Sequence, residues 1–241
     1  MWLYNLFNLN NDSKGTVALV FGVIAIFTTA FIGLPQLIVL LKNKKTSANT
    51  PYYSYWIFYV GLIGWIFIGS YDYSDPKLLA SAYTNIIAGL IYTLTMIFLY
   101  RYSTGKRRKF WYIPLIITVA ITLTSSILAI IGIVYEFHMN EKIFTVVIQI
   151  VPVVTTLSFF PHLIKGFQNK KFDGISEWMC GLFITTNVFW NCYWFSMVAI
   201  KGLTPALIST IIWQTFSLLI YASILFGIIK YQPKKHKSLK K

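Results

Sequence analysis

Seven stretches of this 241-residue chain run for 20 residues or more without one charged side chain: 16–41, 52–71, 78–100, 110–135, 143–164, 178–200 and 202–229. A helix needs roughly 20 consecutive apolar residues to cross about 30 Å of hydrocarbon, and each stretch meets that length. Charged residues make up 12% of the chain, about half the usual share of a soluble domain. The segments between the stretches are too short to hold a separate soluble domain. An all-α membrane protein with seven transmembrane helices is therefore expected, as one membrane domain.

The net charge of +14 points to nucleic acid only if its distribution is ignored. Of the 21 basic residues, 17 fall in alternate segments: Lys42, Lys44 and Lys45, then Arg101 to Lys109, then Lys165, Lys170 and Lys171, then the tail from Lys230. Lys14, Lys77, Lys142 and Lys201 lie one on each opposite-side segment. That alternation follows the positive-inside rule and puts the N-terminus outside and the C-terminus in the cytoplasm. Anionic headgroups are the expected partners of the basic loops and tail, and nucleic acid is not. A cell membrane is the expected location. Met1–Lys14 lacks the basic start and apolar core of a cleaved signal peptide. Cys180 and Cys192 fall in one span, twelve residues apart, and read as packing residues rather than as a disulfide or metal site.

The chain also repeats itself. Pro35-Gln36-Leu37-Ile38, Asn43-Lys44-Lys45 and Thr50 return as Pro161-His162-Leu163-Ile164, Asn169-Lys170-Lys171 and Ser176, at an offset of 126. Trp65 and Trp190 pair at 125; Pro76 with Pro205, Asn85 with Gln214 and Tyr92 with Tyr221 pair at 129. The expected division is a three-helix repeat over 1–101, a connector helix in 102–136, a second repeat over 137–230 and a basic tail at 231–241. The odd connector leaves the two three-helix bundles parallel, and repeats of this kind flank a path near the bilayer midplane.

A Pro-Gln pair followed by Asn-Lys-Lys and a Ser or Thr at the next helix start, present twice, resembles the PQ-loop superfamily, which holds the SWEET (MtN3) sugar transporters, cystinosin-like exporters and the KDEL receptor. The second copy departs from the motif, with His162 in place of glutamine. The resemblance implies a 3+1+3 fold and alternating access, with Asn85 and Gln214 at the places of the two SWEET pocket asparagines.

Pro35 and Pro161 sit within their spans, about one turn from the cytoplasmic end, where proline removes a backbone donor and kinks the helix. Gln36 or His162 is placed to bond the freed carbonyl, making a paired hinge. Ser81, Asn85, Gly89 and Tyr92 share one helix face, as do Thr210, Gln214, Ser217 and Tyr221, while Asn187, Trp190, Asn191 and Trp194 form a stripe. Buried amides must be bonded or wet, so Asn85, Gln214, Trp190, Trp65 and Asn187 are the candidate binding residues. The alternative for such groups is interhelical glue, at about 0.6 kcal/mol each. Asn187, Asn191, Trp194 and Gln149 lean that way. Asp173 and Glu177, at the cytoplasmic rim, are candidates for proton coupling, against a role as helix-start acids. No Asp, Glu, Lys or Arg lies in a span interior, and no paired acids or metal-ligand cluster suggests an enzyme, metal or cofactor.

These readings point to a transporter of a small neutral polar solute, sugar by resemblance, acting facilitatively. An amino-acid or vitamin carrier, proton-coupled or not, is the alternative within the class. A membrane binding receptor like the KDEL receptor is the alternative outside it, and self-association into a homo-oligomer is left open.

Overall fold

The computed structural model describes residues 2–7, 9–73 and 77–231, and every regular element among them is a helix. Pro76 of the expected repeat and the lysines beyond residue 231 lie outside them. A short α1 (Trp2–Leu6) leads into α2 (Ser13–Ala30), whose start is capped by the Asp12 carboxylate accepting from the Gly15 N–H at 2.6 Å. Then follow α3 (Leu34–Asn43), α4 (Tyr52–Ser70), α5 (Leu79–Arg101), α6 (Gly105–Lys109), α7 (Tyr112–Val134), α8 (Glu141–Leu157), α9 (Phe160–Asn169), α10 (Glu177–Lys201) and α11 (Pro205–Tyr231).

Six of the seven expected spans are both long and apolar enough to cross a bilayer: α2 with α3, α4, α5, α7, α8 with α9, and α11. The remaining one, α10, is 25 residues long and carries no charge between Glu177 and Lys201. Asn187, Asn191, Trp190 and Trp194 keep its hydropathy low.

The two proline spans are broken rather than merely kinked. α2 ends at Ala30 and α3 starts at Leu34, so Pro35 occupies the first turn of a ten-residue helix; Pro161 holds the same place in α9. Proline is tolerated there because a first-turn N–H has no intrahelical partner to lose. The break thus lies about three turns from the end of the segment, not one. The expected partner also differs. Gln36 does not bond its own helix. The Phe31 carbonyl, which Pro35 leaves without its usual donor, instead accepts from the Leu34 N–H at 2.9 Å. The Gly33 carbonyl in the break accepts from Thr95 Oγ1 at 3.1 Å. Both short helices stop at a lysine in the left-handed region, Lys44 at φ 47° and Lys170 at φ 52°. The repeated Asn-Lys-Lys therefore marks a repeated helix stop.

α5 packs on α4 and on α2 and α3, while α11 packs on α10, α8 and α9. Between these groups, α10 lies on α2 and α4 lies on α8. α7 packs on α4 and α5, held by Tyr59 Oη donating to the Thr118 carbonyl at 2.8 Å and by a Thr93–Thr122 hydroxyl contact at 2.7 Å. Its other face is bare and apolar, with Ile116, Ile127 and Val134 more than half exposed. Such a face is stable against lipid, not water.

Small residues set the closest approaches. A Cβ at Gly69 of α4 would stand 2.3 Å from the backbone nitrogen of Ala82 in α5, a contact no side-chain rotation relieves. Gly69→Val should cost about 1–3 kcal/mol, read as a fall in thermal stability in detergent. An unchanged midpoint would show that α4 and α5 do not meet this closely.

At the end expected to face outside, Lys77 is buried with its ammonium donating to three carbonyls: Ser70 at 3.0 Å, Gly132 at 2.8 Å and Phe137 at 2.6 Å. All three donors are used, tying the ends of α4 and α7 to the segment after α7. Burial pulls the Lys77 pKa below the usual lysine value, against the pull of Glu136 and Asp72.

Candidate functional site

A cavity of about 100 Å³ lies between α2, α4, α5, α8, α10 and α11. One water needs only about 10–15 Å³ by the same measure, so this interior has room for several waters or a small solute. Trp65, Asn85, Asn187, Trp190 and Gln214 all line it, drawn from four helices. Thr29, Thr186, Trp194, Thr210 and Trp213 line it too, and none of the described residues of its wall is charged.

The hydrogen bonds show what this wall has left to offer. Asn85 spends one N–H on the Ser81 carbonyl at 2.8 Å within its own helix. Asn187 donates to the Phe183 carbonyl at 2.7 Å, and its Oδ1 accepts a short bond from Gln214 Nε2. Each amide carries two donor hydrogens and an oxygen with two lone pairs, so these bonds leave capacity at Asn85 and Gln214. The Trp190 indole N–H is committed to Thr29 Oγ1 at 2.9 Å, which leaves its ring face for packing. Trp190 stacks on Trp194, centroids 5.6 Å apart and planes 19° from parallel. Thr186 Oγ1 is buried without a hydrogen-bond partner beside the cavity.

Asn191 and Gln149 bond other helices rather than the cavity. Thr215 Oγ1 approaches Asn191 Oδ1 at 3.4 Å, and Ser209 Oγ donates to Gln149 Oε1. Trp194, read with them from the sequence, is in the cavity wall.

Toward the end that carries Pro35 and Pro161, a layer of rings follows the cavity. Phe183 stacks on Tyr221 at 3.9 Å, Phe58 meets Phe183 at 5.0 Å and Tyr92 at 5.2 Å, and Tyr55 meets Phe159 at 5.3 Å. Tyr55, Tyr92, Tyr221 and Phe159 are fully buried. Phe58 and Phe183 stand 125 residues apart, the offset of Trp65 and Trp190, so the signal for them was present in the sequence.

Beyond the rings, the segment before α10 is fastened across the bundle. Gln36 Oε1 accepts from the Ser176 N–H at 2.8 Å, Tyr55 Oη donates to the Gly174 carbonyl at 2.7 Å, and Asn49 Nδ2 donates to Asp173 Oδ2 at 3.0 Å. His162 is buried beside this segment, its ring set edge-on to Phe172. Glu177 is exposed in the first turn of α10, and neither it nor Asp173 reaches the central cavity. No group of three His, Cys, Asp or Glu that could hold a metal occurs among the described residues.

Long apolar helices around an uncharged, tryptophan-walled cavity define an integral, multi-pass membrane protein. The fold is that of the SWEET transporters. The chain is similar to a eukaryotic SWEET transporter solved at 3.7 Å resolution, with a TM-score of 0.60 and 10% identity, covering 92% of this chain and 100% of that one. No protein-family model and no curated protein sequence matches the chain. At that identity the likeness is one of fold, and the site must be argued from its own residues.

Proposed function

We propose that this protein is a facilitative transporter of a small neutral polar solute, a sugar by preference, bound in the central cavity and released by alternating access. The observation that carries the reading is the cavity wall: three amides, four tryptophans and several hydroxyls, with no charge. An uncharged low-dielectric site would leave an ionic solute without the partner that burial demands. Amides bond hydroxyl or amide groups in either direction, and indole faces cover an apolar ring face.

Two three-helix bundles with α7 as connector suit the packing, since α5 and α11 are each the shared helix of their group, and the contacts α2–α10 and α8–α4 mirror one another. In this arrangement the breaks before Pro35 and Pro161 are the hinges. The ring layer and the Gln36, Tyr55 and Asn49 bonds are the gate on the cytoplasmic side. Tryptophan, Asn85, Gln214 and Asn187 hold the solute, and Asp173 and Glu177 have no part in binding it. The basic loops set this gate toward the cytoplasm. A receptor for an acidic peptide end would need cations in the cavity wall, and there are none.

Ligand-dependent thermal stability of the purified protein tests the solute class, with neutral sugars, zwitterionic amino acids and vitamins each set beside a charged analogue. Saturation at a hundredfold excess over Kd contributes about 2.7 kcal/mol, a shift of several degrees. Neutral members should give it and charged analogues should not. Equal stabilisation by a charged analogue would contradict the reading.

A further inference from the structure

The proposed mechanism leaves unused a second cavity of about 520 Å³ at the rim of the bundle, between the start of α4 and the end of α9. The two helix starts at this end of the molecule, α4 and α10, occupy equivalent places in the repeat but are finished differently.

The α10 start is satisfied from within. Ser176 Oγ accepts from the Met179 N–H at 3.1 Å, Gln36 Oε1 accepts from the Ser176 N–H, and Glu177 places a carboxylate in the first turn. Every one of these groups is an acceptor or an anion, as a helix N-terminus requires. At α4 each has been replaced. Thr50 stands for Ser176, but Oγ1 makes no hydrogen bond and the helix has no side-chain cap. Pro51 stands for Glu177, so no carboxylate is present in the first turn. His162 stands for Gln36, buried, with Nε2 lacking any partner.

Thr50 and His162 both line the cavity, with Lys165, Lys171, Asn49 and Asp173 around them. Lys165 Nζ lies 5.4 Å above the Tyr53 ring, on the same wall. The two lysines outnumber the one carboxylate, Asp173, which Asn49 already bonds at 3.0 Å. The Tyr52, Ser54 and Tyr55 N–H groups bond the Thr50 and Pro51 carbonyls. What calls for an oxyanion is therefore the pair of buried polar atoms without partners beside a surplus of cations.

We propose that this rim cavity is an anion site that takes a phosphate group between the α4 N-terminus and Lys165 and Lys171. Thr50 Oγ1 donates to it, as does His162 in whichever form carries a proton on Nε2. The phosphate has two sources with the same chemistry: a free phosphate ester, or the headgroup of an anionic phospholipid at the cytoplasmic surface. In either case the bound anion gives Thr50 Oγ1 and His162 Nε2 the partner they lack, beside the segment that closes the gate.

The test uses the full chain in uncharged detergent, titrated with inorganic phosphate against chloride at matched ionic strength. In parallel, the chain is placed in nanodiscs of phosphatidylcholine with and without phosphatidylglycerol. Thermal stability is read in both. The Lys165→Gln/Lys171→Gln variant is compared with wild type, and Lys106→Gln/Arg107→Gln, which alters the basic α6, controls for general charge. His162→Gln is the second variant, since it gives the site the residue found at Gln36 and so should fold. Stabilisation by inorganic phosphate, weakened at least about tenfold in Lys165→Gln/Lys171→Gln but not in the α6 control, establishes the site with a soluble anion. Stabilisation only by phosphatidylglycerol, with the same dependence on variants, establishes it with the lipid headgroup as the source. No stabilisation by either, or an equal response in Lys165→Gln/Lys171→Gln, His162→Gln and the α6 control, overturns the proposal.

Discussion

Asn85→Leu should lower solute exchange roughly 5- to 150-fold while leaving the protein folded. The substitution keeps the side-chain volume and removes the amide. Structurally the amide does little: its one bond is to the Ser81 carbonyl, a turn away in the same helix, where that carbonyl already has a backbone partner. A solute hydroxyl that loses its buried partner costs about 1–3 kcal/mol, and the range above is that cost expressed as a rate. Gln214→Leu should act in the same direction with some loss of stability, because it strands the Asn187 Oδ1 that Gln214 bonds. Exchange and melting temperature are measured side by side. A melting temperature that collapses with Asn85→Leu would mean that Asn85 is packing glue. Normal exchange would mean that the solute does not touch it.

The other large effect is expected at the gate. Gln36→Ala removes the acceptor from the partly buried Ser176 N–H and should shift the closed-to-open balance by about 5- to 150-fold. Cys180 reports this without an introduced cysteine. It is fully buried in the apolar cluster formed by the ring layer, behind the fastened segment. With Cys192 replaced by serine, Cys180 should resist maleimide from the cytoplasmic face in otherwise unaltered protein and react faster by that factor in Gln36→Ala. An unchanged rate would show that Gln36 is not part of the gate. Pro161→Ala complements it: relieving the break in this span should slow exchange and leave affinity nearly unchanged, and an unaltered rate would count against the hinge.

The candidate site was legible in the sequence because lipid makes polar residues conspicuous. Asn85, Asn187 and Gln214 are amides in uncharged apolar runs, and the repeat tied Trp65 to Trp190 before any packing was known. All five line one cavity. Thr186 and Trp213 carried no such mark, since a threonine or tryptophan in a span is ordinarily packing, and only the fold turns them inward. The reach of Gln36 to Ser176, 140 residues away, could not be read from either helix alone. Nor could the three carbonyls around Lys77, which the sequence places only as a single charge on an opposite-side segment. The breaks ahead of Pro35 and Pro161 were placed too near the helix ends because proline was read as the kink itself. Its lack of an N–H instead suits it to the first turn of the helix that follows.

Counterflow in proteoliposomes, with no ion gradient, tests the central claim most directly. Vesicles loaded with one unlabelled neutral solute are offered the same solute labelled, across a panel of sugars, amino acids and vitamins, with Asn85→Leu run beside the unaltered protein. The account predicts transient accumulation of one neutral class, lost in the variant. Accumulation that appears only under a pH gradient would contradict facilitative exchange and move the weight to Asp173, Glu177 and His162. Silence under every condition would contradict transport itself.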